Sequence, residues 1–431
     1  MKRIWGRKIA SFLIVLLMMF GILADDNIVH AGQISLNKKT VSMAPATTVT
    51  LKLKGASGKI KWSSSNKKVA TVSSSGKVTA RAKGTAKIKA THKGKTYTCQ
   101  VTVKYKTHTC SDGMRYKDVS GTFSRSGRWI KNSIGGGKYY FTNTEGSAIY
   151  FKVTGSKYVN VNFVARYSVA TPYFAYSVDG GKMKRQLITN KKINVGNTKT
   201  HYIRVVIDSM DVTEDRWVGG TGVAVKSVKP VSKDGVVTAI KPQNATIAFF
   251  GDSITQGVRT VGWDLTPSGT SSTHGYAWYC AQQLDMVPYT VGFGSTGIFE
   301  TGWFNNCYNA TQYFSYGEKA PSFTADVIVV EHGTNDIYCY GDAFVQQYQK
   351  VLQKLHKQHP NAYIMAMIPL NQIHASEIRI AASSYSWCTV VETSSWNLSY
   401  TDGIHPNSAG AKKMGQNLAK KVAAKRKAVL K

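Results

Sequence analysis

Acidic side chains are scarce in this sequence: 23 Asp and Glu stand against 56 Lys and Arg, a formal net charge of +33 at pH 7. None at all lies between Asp26 and Asp112. Cysteine is sparse too. The six present (Cys99, Cys110, Cys280, Cys307, Cys339 and Cys388) are scattered without a C-x-x-C pair, which removes the common spacing of a zinc site. There is no H-E-x-x-H and no G-x-x-x-x-G-K-[ST], and no dinucleotide fingerprint is read, so neither a metal nor a cofactor is expected. After the N-terminal segment no apolar run resembles a membrane span. At 42% hydrophobic and 18% charged the chain is globular rather than disordered. Its 431 residues exceed one ordinary core, so two or three domains are expected.

The N-terminus has the layout of an export signal. Lys2, Arg3, Arg7 and Lys8 form a basic start, residues 9–24 are an apolar run, and Val29-His30-Ala31 offers small residues at a cleavage point. A signal peptide over residues 1–31 is expected, which leaves an extracellular protein, secreted or held at the cell wall. An uncleaved anchor is the plain alternative, oriented by the same basic residues. Outside the cell disulfides are allowed, so Cys99 and Cys110 are read either as a bridge across a domain boundary or as buried thiols. A secreted basic protein rarely meets nucleic acid; anionic wall polymers or acidic polysaccharides are the expected partners, with solubility alone as the bland explanation of the charge.

Residues 32–104 alternate apolar and polar side chains in short runs, such as Lys77-Val-Thr-Ala80 and Ala86-Lys-Ile-Lys-Ala90, punctuated by Gly55, Gly58, Gly76, Gly84 and Gly94. Period-two runs at even spacing predict a β-sandwich. Trp62-Ser-Ser-Ser-Asn66, Val69-Ala-Thr-Val72, Gly76-Lys-Val-Thr-Ala80 and Gly84-Thr-Ala-Lys-Ile88 resemble the bacterial immunoglobulin-like domain, group 2. That resemblance implies a surface spacer or adhesive module. The outward lysines are either a solvated face or a polyanion-binding one.

A linker is expected over residues 105–117, then a second, jelly-roll-like β-sandwich over 118–240. Ala148-Ile-Tyr-Phe-Lys-Val153, Tyr173-Phe-Ala-Tyr-Ser-Val178 and His201-Tyr-Ile-Arg-Val-Val-Ile207 predict strands, and Asp179-Gly180-Gly181 predicts a hairpin turn. From about residue 241 to 431 the periodicity changes. Thr246-Ile-Ala-Phe-Phe250 and Asp326-Val-Ile-Val-Val-Glu331 are continuous apolar runs, and Phe344, Tyr348, Val351, Leu352 and Leu355 fall on one helical stripe. A three-layer α/β/α domain with a mostly parallel sheet is predicted.

The chemistry is expected at the ends of those strands, where open α/β sheets bind their ligands. Thr246–Phe250 runs into Gly251-Asp-Ser-Ile-Thr-Gln-Gly257. Val291-Gly-Phe-Gly-Ser-Thr-Gly297, Gly333-Thr-Asn-Asp336 and Asp402-Gly-Ile-His405-Pro406 follow in order. Together these four blocks resemble the SGNH (GDSL) hydrolase superfamily from about residue 245 onward. The resemblance implies Ser253 as nucleophile, His405 as its general base and Asp402 as the group orienting the imidazole. It also implies an oxyanion hole built from the Ser253 N–H, an N–H of the Gly294–Ser295 pair and the Asn335 side chain. Ser295 stands where the family usually carries glycine. If that position needs positive φ, Ser is strained there. His332, Asp252 and Asp336 are read as core or loop-bonding residues.

A sandwich directly before such a domain is similar to the layout of carbohydrate esterase family two, which implies deacetylation of a polysaccharide. Trp263, Tyr276, Phe299, Trp303, Phe304 and Tyr338 lie between the blocks and are read as sugar-facing or core. A broad small-ester or lipid esterase stays open, as does a surface adhesin with an inactive hydrolase domain. Intact Ser253, Asn335, Asp402 and His405 argue against the adhesin.

Overall fold

Alternating side chains fix the N-terminal unit. In this computed structural model, residues 33–45, 47–104, 107–134, 136–217, 220–302, 308–312 and 323–429 are described; the expected signal peptide and Cys307 lie outside them. Thr40–Met43, Lys95–Val103, Gly84–His92 and Lys61–Ser64 form a four-stranded sheet, faced by a three-stranded sheet of Thr48–Thr50, Lys77–Ala80 and Ala70–Val72. Along Gly84–His92 the residues Ala86, Ile88 and Ala90 enter the core while Lys87 and Lys89 stay outside. Cys99 and Cys110 are both buried and unbonded, which resolves that alternative in favour of thiols.

Two further sheets, of eight and five strands, pack their apolar faces together around Trp129, Phe151, Val161, Phe174, Ile203 and Val223. The larger contains Ala148–Thr154, His201–Ser209 and Tyr173–Val178; the smaller contains Tyr158–Arg166 and Gly222–Pro230. Asp179 and Gly180, with φ of 54° and 80°, turn Tyr173–Val178 into Lys184–Leu187 as the hairpin signal predicts. Residues 105–117 need correction. Thr107–Thr109 and Arg115–Asp118 are strands of the larger sheet rather than a linker. They lie at and beside its edge, carry polar residues on both faces, and so show little alternation. The last strand of this unit, Val236–Pro242, ends two residues past the expected boundary.

In the C-terminal domain five strands are all parallel: β1 Thr246–Gly251, β2 Val287–Gly292, β3 Val327–Glu331, β4 Tyr363–Met367 and β5 Cys388–Val391, in the spatial order β2-β1-β3-β4-β5. Helices described alongside them include α1 Ser253–Gln256, α2 Tyr276–Gln283, α3 Gly341–Gln358, α4 Ala375–Ser383 and α5 Ser408–Val429. Ala248, Phe250, Ile328 and Val330 pack with Phe344 and Tyr348 of α3 and Ile378 of α4. Ile247, Phe249, Val327 and Val329 pack with Tyr276 and Cys280 of α2 and Met414 and Leu418 of α5. Both faces of the sheet are therefore buried, which is why its strands lack alternation. Among the described residues no helix is long and apolar enough to cross a membrane.

Candidate active site

The sheet delivers its loops to one edge. β1 ends at Gly251, and Ser253 opens α1, where its N–H is one of the amides a helix start leaves without an intrahelical partner. Asp252 caps that helix, its Oδ1 accepting from Ile254 N–H at 2.9 Å. Ser253 Oγ lies 2.8 Å from His405 Nε2, and His405 Nδ1 lies 2.8 Å from Asp402 Oδ2. Asp402 Oδ1 also accepts the backbone N–H groups of His405 at 2.8 Å and Ile404 at 3.1 Å, so one carboxylate fixes both the ring and the turn that carries it.

The electrostatics suit a base. Burial lowers the His405 pKa and Arg259 lowers it further, while Asp402 opposes both; the net shift is downward, so the imidazole is neutral near pH 7. Burial would raise the Asp402 carboxyl, but hydrogen bonds from the His405 backbone, the His405 ring and Arg259 outweigh it and hold Asp402 well below the usual carboxylate range.

Close packing explains the glycine block. A Cβ on Gly292 would fall 2.9 Å from Gln256 Cα, and one on Gly294 would fall 2.8 Å from Val212 Cγ1 and 3.9 Å from Ser253 Cβ. Gly292-Phe-Gly294-Ser-Thr-Gly297 does spell G-x-G-x-x-G after a strand, a match the sequence reading passed over. Its loop is not built for a pyrophosphate: the N–H groups of Ile298, Phe299 and Glu300 are taken by the Asp336 carboxylate at 2.8, 2.7 and 3.1 Å. Asp336 is thus the loop-bonding residue expected.

The structure joins Ser253, His405 and Asp402 directly, and treats the oxyanion-hole candidates unequally. Asn335 Nδ2 donates to Thr296 O at 2.8 Å and sits 3.4 Å from Asp252 Oδ2, which ties it to the glycine loop and to the residue before the nucleophile. Gly294 N–H is committed elsewhere, donating to Gln256 Oε1 at 2.8 Å. Ser295 remains as the candidate of that pair, and it does adopt positive φ, 60°. His332 is fully buried, and burial pushes its pKa down to about 4. Tyr276 is core and Phe299 packs against the core; Trp263 and Tyr338 are 67% and 79% exposed, while Trp303 and Phe304 lie outside the described residues. Among the described residues no group of His, Cys, Asp and Glu could hold a metal.

Four residues at or behind this site were not found from sequence. Gln256 and Arg259 lie in and just after the Ser253 block and were within reach of a closer reading. Glu145 and Arg216 pair across 71 residues, and nothing local marks them.

A serine, a neutral histidine and an ionised aspartate in hydrogen-bonded series at a sheet edge form the relay of a serine hydrolase. Residues 249–413 match the GDSL-like Lipase/Acylhydrolase family. The C-terminal domain belongs to that family. Residues 32–103, ahead of this GDSL-like domain, match the bacterial Ig-like domain (group 2). No curated protein matches the chain significantly. Among solved structures, a family two carbohydrate esterase from Clostridium thermocellum, in complex with cellohexaose, aligns with TM-score 0.58 at 18% identity, over 70% of this chain and 98% of that one. An acetyl xylan esterase from the rumen bacterium Butyrivibrio proteoclasticus gives 0.56 at 19%, over 72% and 98%. A family two carbohydrate esterase from Cellvibrio japonicus gives 0.54 at 16%, over 74% and 98%. At these identities the shared property is the fold.

Proposed function

We propose that the protein is a secreted serine esterase that removes acetyl groups from a polysaccharide. The observation that carries the reading is the Ser253–His405–Asp402 relay, with bonds of 2.8 Å at each step, inside the GDSL-like domain. Ser253 Oγ attacks the acyl carbon as His405 Nε2 takes its proton. The tetrahedral oxyanion is held by N–H groups of Ser253 and Ser295 and by the Asn335 amide, which gives up its long 3.4 Å contact with Asp252 to do so. His405 then returns the proton to the departing sugar hydroxyl, leaving an acetyl-Ser253 ester, and water activated by the same imidazole releases acetate.

Three features favour a polymer. A β-sandwich abuts the hydrolase domain, as in the layout of family two carbohydrate esterases. Trp263 and Tyr338 present exposed rings on loops that follow the Ser253 and Asn335 blocks. The Ig-like unit exposes Lys61, Lys87 and Lys89 on one sheet and carries no acidic residue, which suits anchorage on an anionic wall polymer. The basic, then apolar, N-terminus favours export.

Acetate release from acetylated polysaccharides and peptidoglycan, with Ser253→Ala as control, tests the reading. Release from one polymer that vanishes in the variant supports it. Cleavage of small acetate esters alone moves the assignment to a small-ester or lipid hydrolase. For anchorage, retention on purified walls that does not weaken with salt refutes an electrostatic contact.

A further inference from the structure

We infer that the central β-sandwich is a working part of the active site, because a buried hydrogen-bond chain from its Arg216–Glu145 pair sets the position of the oxyanion loop through Gln256. Arg216 and Glu145 are each about 1% exposed. Their contacts are bidentate: Arg216 Nη1 to Glu145 Oε2 at 3.1 Å and Nη2 to Oε1 at 3.0 Å. Arg216 is further held by Asn143 O at 3.0 Å and Asp211 O at 2.9 Å, and Glu145 Oε1 accepts Met210 N–H at 3.1 Å. The pair is therefore anchored on the sandwich side by the backbone of Asn143, Met210 and Asp211.

The chain then crosses into the hydrolase domain. Gln256 Nε2 donates to Glu145 Oε1 at 3.1 Å, which fixes the amide's orientation and turns its Oε1 toward Gly294 N–H at 2.8 Å. Gln256 is the last residue of α1, which Ser253 begins, and Gly294 precedes Ser295. One amide thus ties the nucleophile's helix to the loop that carries the second backbone donor. Packing follows the same path: Val212 lies against Gly294, and the Trp217 ring sits 5.1 Å from that of Phe293. A donor misplaced by a fraction of an ångström loses much of its worth in the transition state, so residues that touch no substrate can act through position. Glu145, Arg216 and Gln256 are positioning residues in this sense.

The inference rests on the ester-hydrolase reading of Ser253, so the full chain is first assayed on a chromogenic acetate ester beside Ser253→Ala. Equal rates there would sink that reading, whatever the loop does. Given Ser253-dependent turnover, Gln256→Leu and the double variant Glu145→Leu/Arg216→Met are compared. The double change swaps a buried ion pair for apolar side chains, which folded proteins often tolerate, whereas removing one partner strands a charge. Melting curves select folded variants. The expected result is a fall in kcat of about tenfold to a hundredfold with KM within about twofold. The Ki of a trifluoromethyl ketone, whose adduct with Ser253 carries the oxyanion, rises by the same factor. The triple variant shows no further loss, because both changes cut one chain. Wild-type kcat in folded Gln256→Leu, or lost kcat with unchanged Ki, overturns the inference.

Discussion

Arg259 Nη1 lies 2.5 Å from Asp402 Oδ2, the same carboxylate oxygen that faces His405 Nδ1 at 2.8 Å. Arg259 holds this pose with φ of 57°, its Nε donating to Trp263 O at 2.8 Å and its own carbonyl accepting from Thr401 Oγ1 at 2.7 Å. The relay therefore ends on a cation as well as a carboxylate. A positive charge there disfavours the imidazolium, which is one cause of the lowered His405 pKa. In Arg259→Gln that contribution disappears, so the His405 pKa rises and less neutral base is present at a given acidic pH. The acid limb of the kcat/KM profile on a chromogenic acetate should move to higher pH, with the shift largest at low salt. An unmoved limb would show that Arg259 only braces the loop.

Ser295 tests how the oxyanion loop tolerates side chains. Its φ of 60° lies in the left-handed region, where a non-glycine residue costs about 1–2 kcal/mol. Ser295→Gly keeps the backbone donor and removes that strain, so kcat should stay within about twofold while stability rises by roughly 1 kcal/mol in urea melts. Ser295→Val, branched at Cβ, should lose both. A destabilised glycine variant would mean that the serine side chain holds the loop.

Beneath the nucleophile two carboxyl groups share a dry site. Burial pushes Glu331 well above its ordinary 4.5 and Asp252 from 3.8 to about 7, and the nearby Asp252 charge raises Glu331 further. Glu331 Oε2 accepts from Thr255 Oγ1 at 2.9 Å. Glu331 therefore keeps its proton to higher pH in the native state than in the unfolded one. Folding then binds protons, so this contribution to stability is full below pH 3.8–4.5 and is lost as pH rises toward the folded values. Glu331→Gln mimics the neutral acid. It should fold, keep turnover, and show a flatter fall in stability from pH 5 to 7 than wild type, read by melts across pH. Glu331→Ala should cost about 2–4 kcal/mol through the cavity and the orphaned partners. Loss of activity with Glu331→Gln would mean that the ionised form is required.

Local patterns carried the fold wherever the physics was local. Alternation marked Lys77–Ala80 to the residue, and continuous apolar runs marked β1 and β3, because those strands bury one face and two faces respectively. Thr107–Thr109 escaped because an edge position needs little hydrophobicity, and Arg115–Asp118 because Tyr116 shares its buried face with the charged Asp118. At the site, blocks of consecutive residues exposed Ser253, Asn335, Asp402 and His405. The commitment of Gly294 N–H to Gln256, the Arg259–Asp402 pair and the Glu145–Arg216 bracket depend on side chains 38, 143 and 71 residues apart. A single sequence has no local signature for such partners.

Under the polysaccharide proposal, substitutions at Trp263 and Tyr338 should distinguish polymer from small-ester hydrolysis. Large exposed aromatic side chains lose favourable surface to water unless something covers them, and a sugar ring offers an apolar face of matching size. Both residues sit on loops following active-site blocks, Trp263 four residues after Arg259 and Tyr338 three after Asn335. Neither side chain contributes to the relay, and Trp263 O stays in place to hold Arg259, so Trp263→Ala and Tyr338→Ala should leave hydrolysis of a small acetate ester within about twofold. On the acetylated polymer each should raise KM about five- to thirtyfold, the range for losing about 1–2 kcal/mol of stacking. Steady-state kinetics on both substrates decides. Equal losses on both would place these rings in the structure of the site, and no loss on either would move sugar binding elsewhere on the molecule.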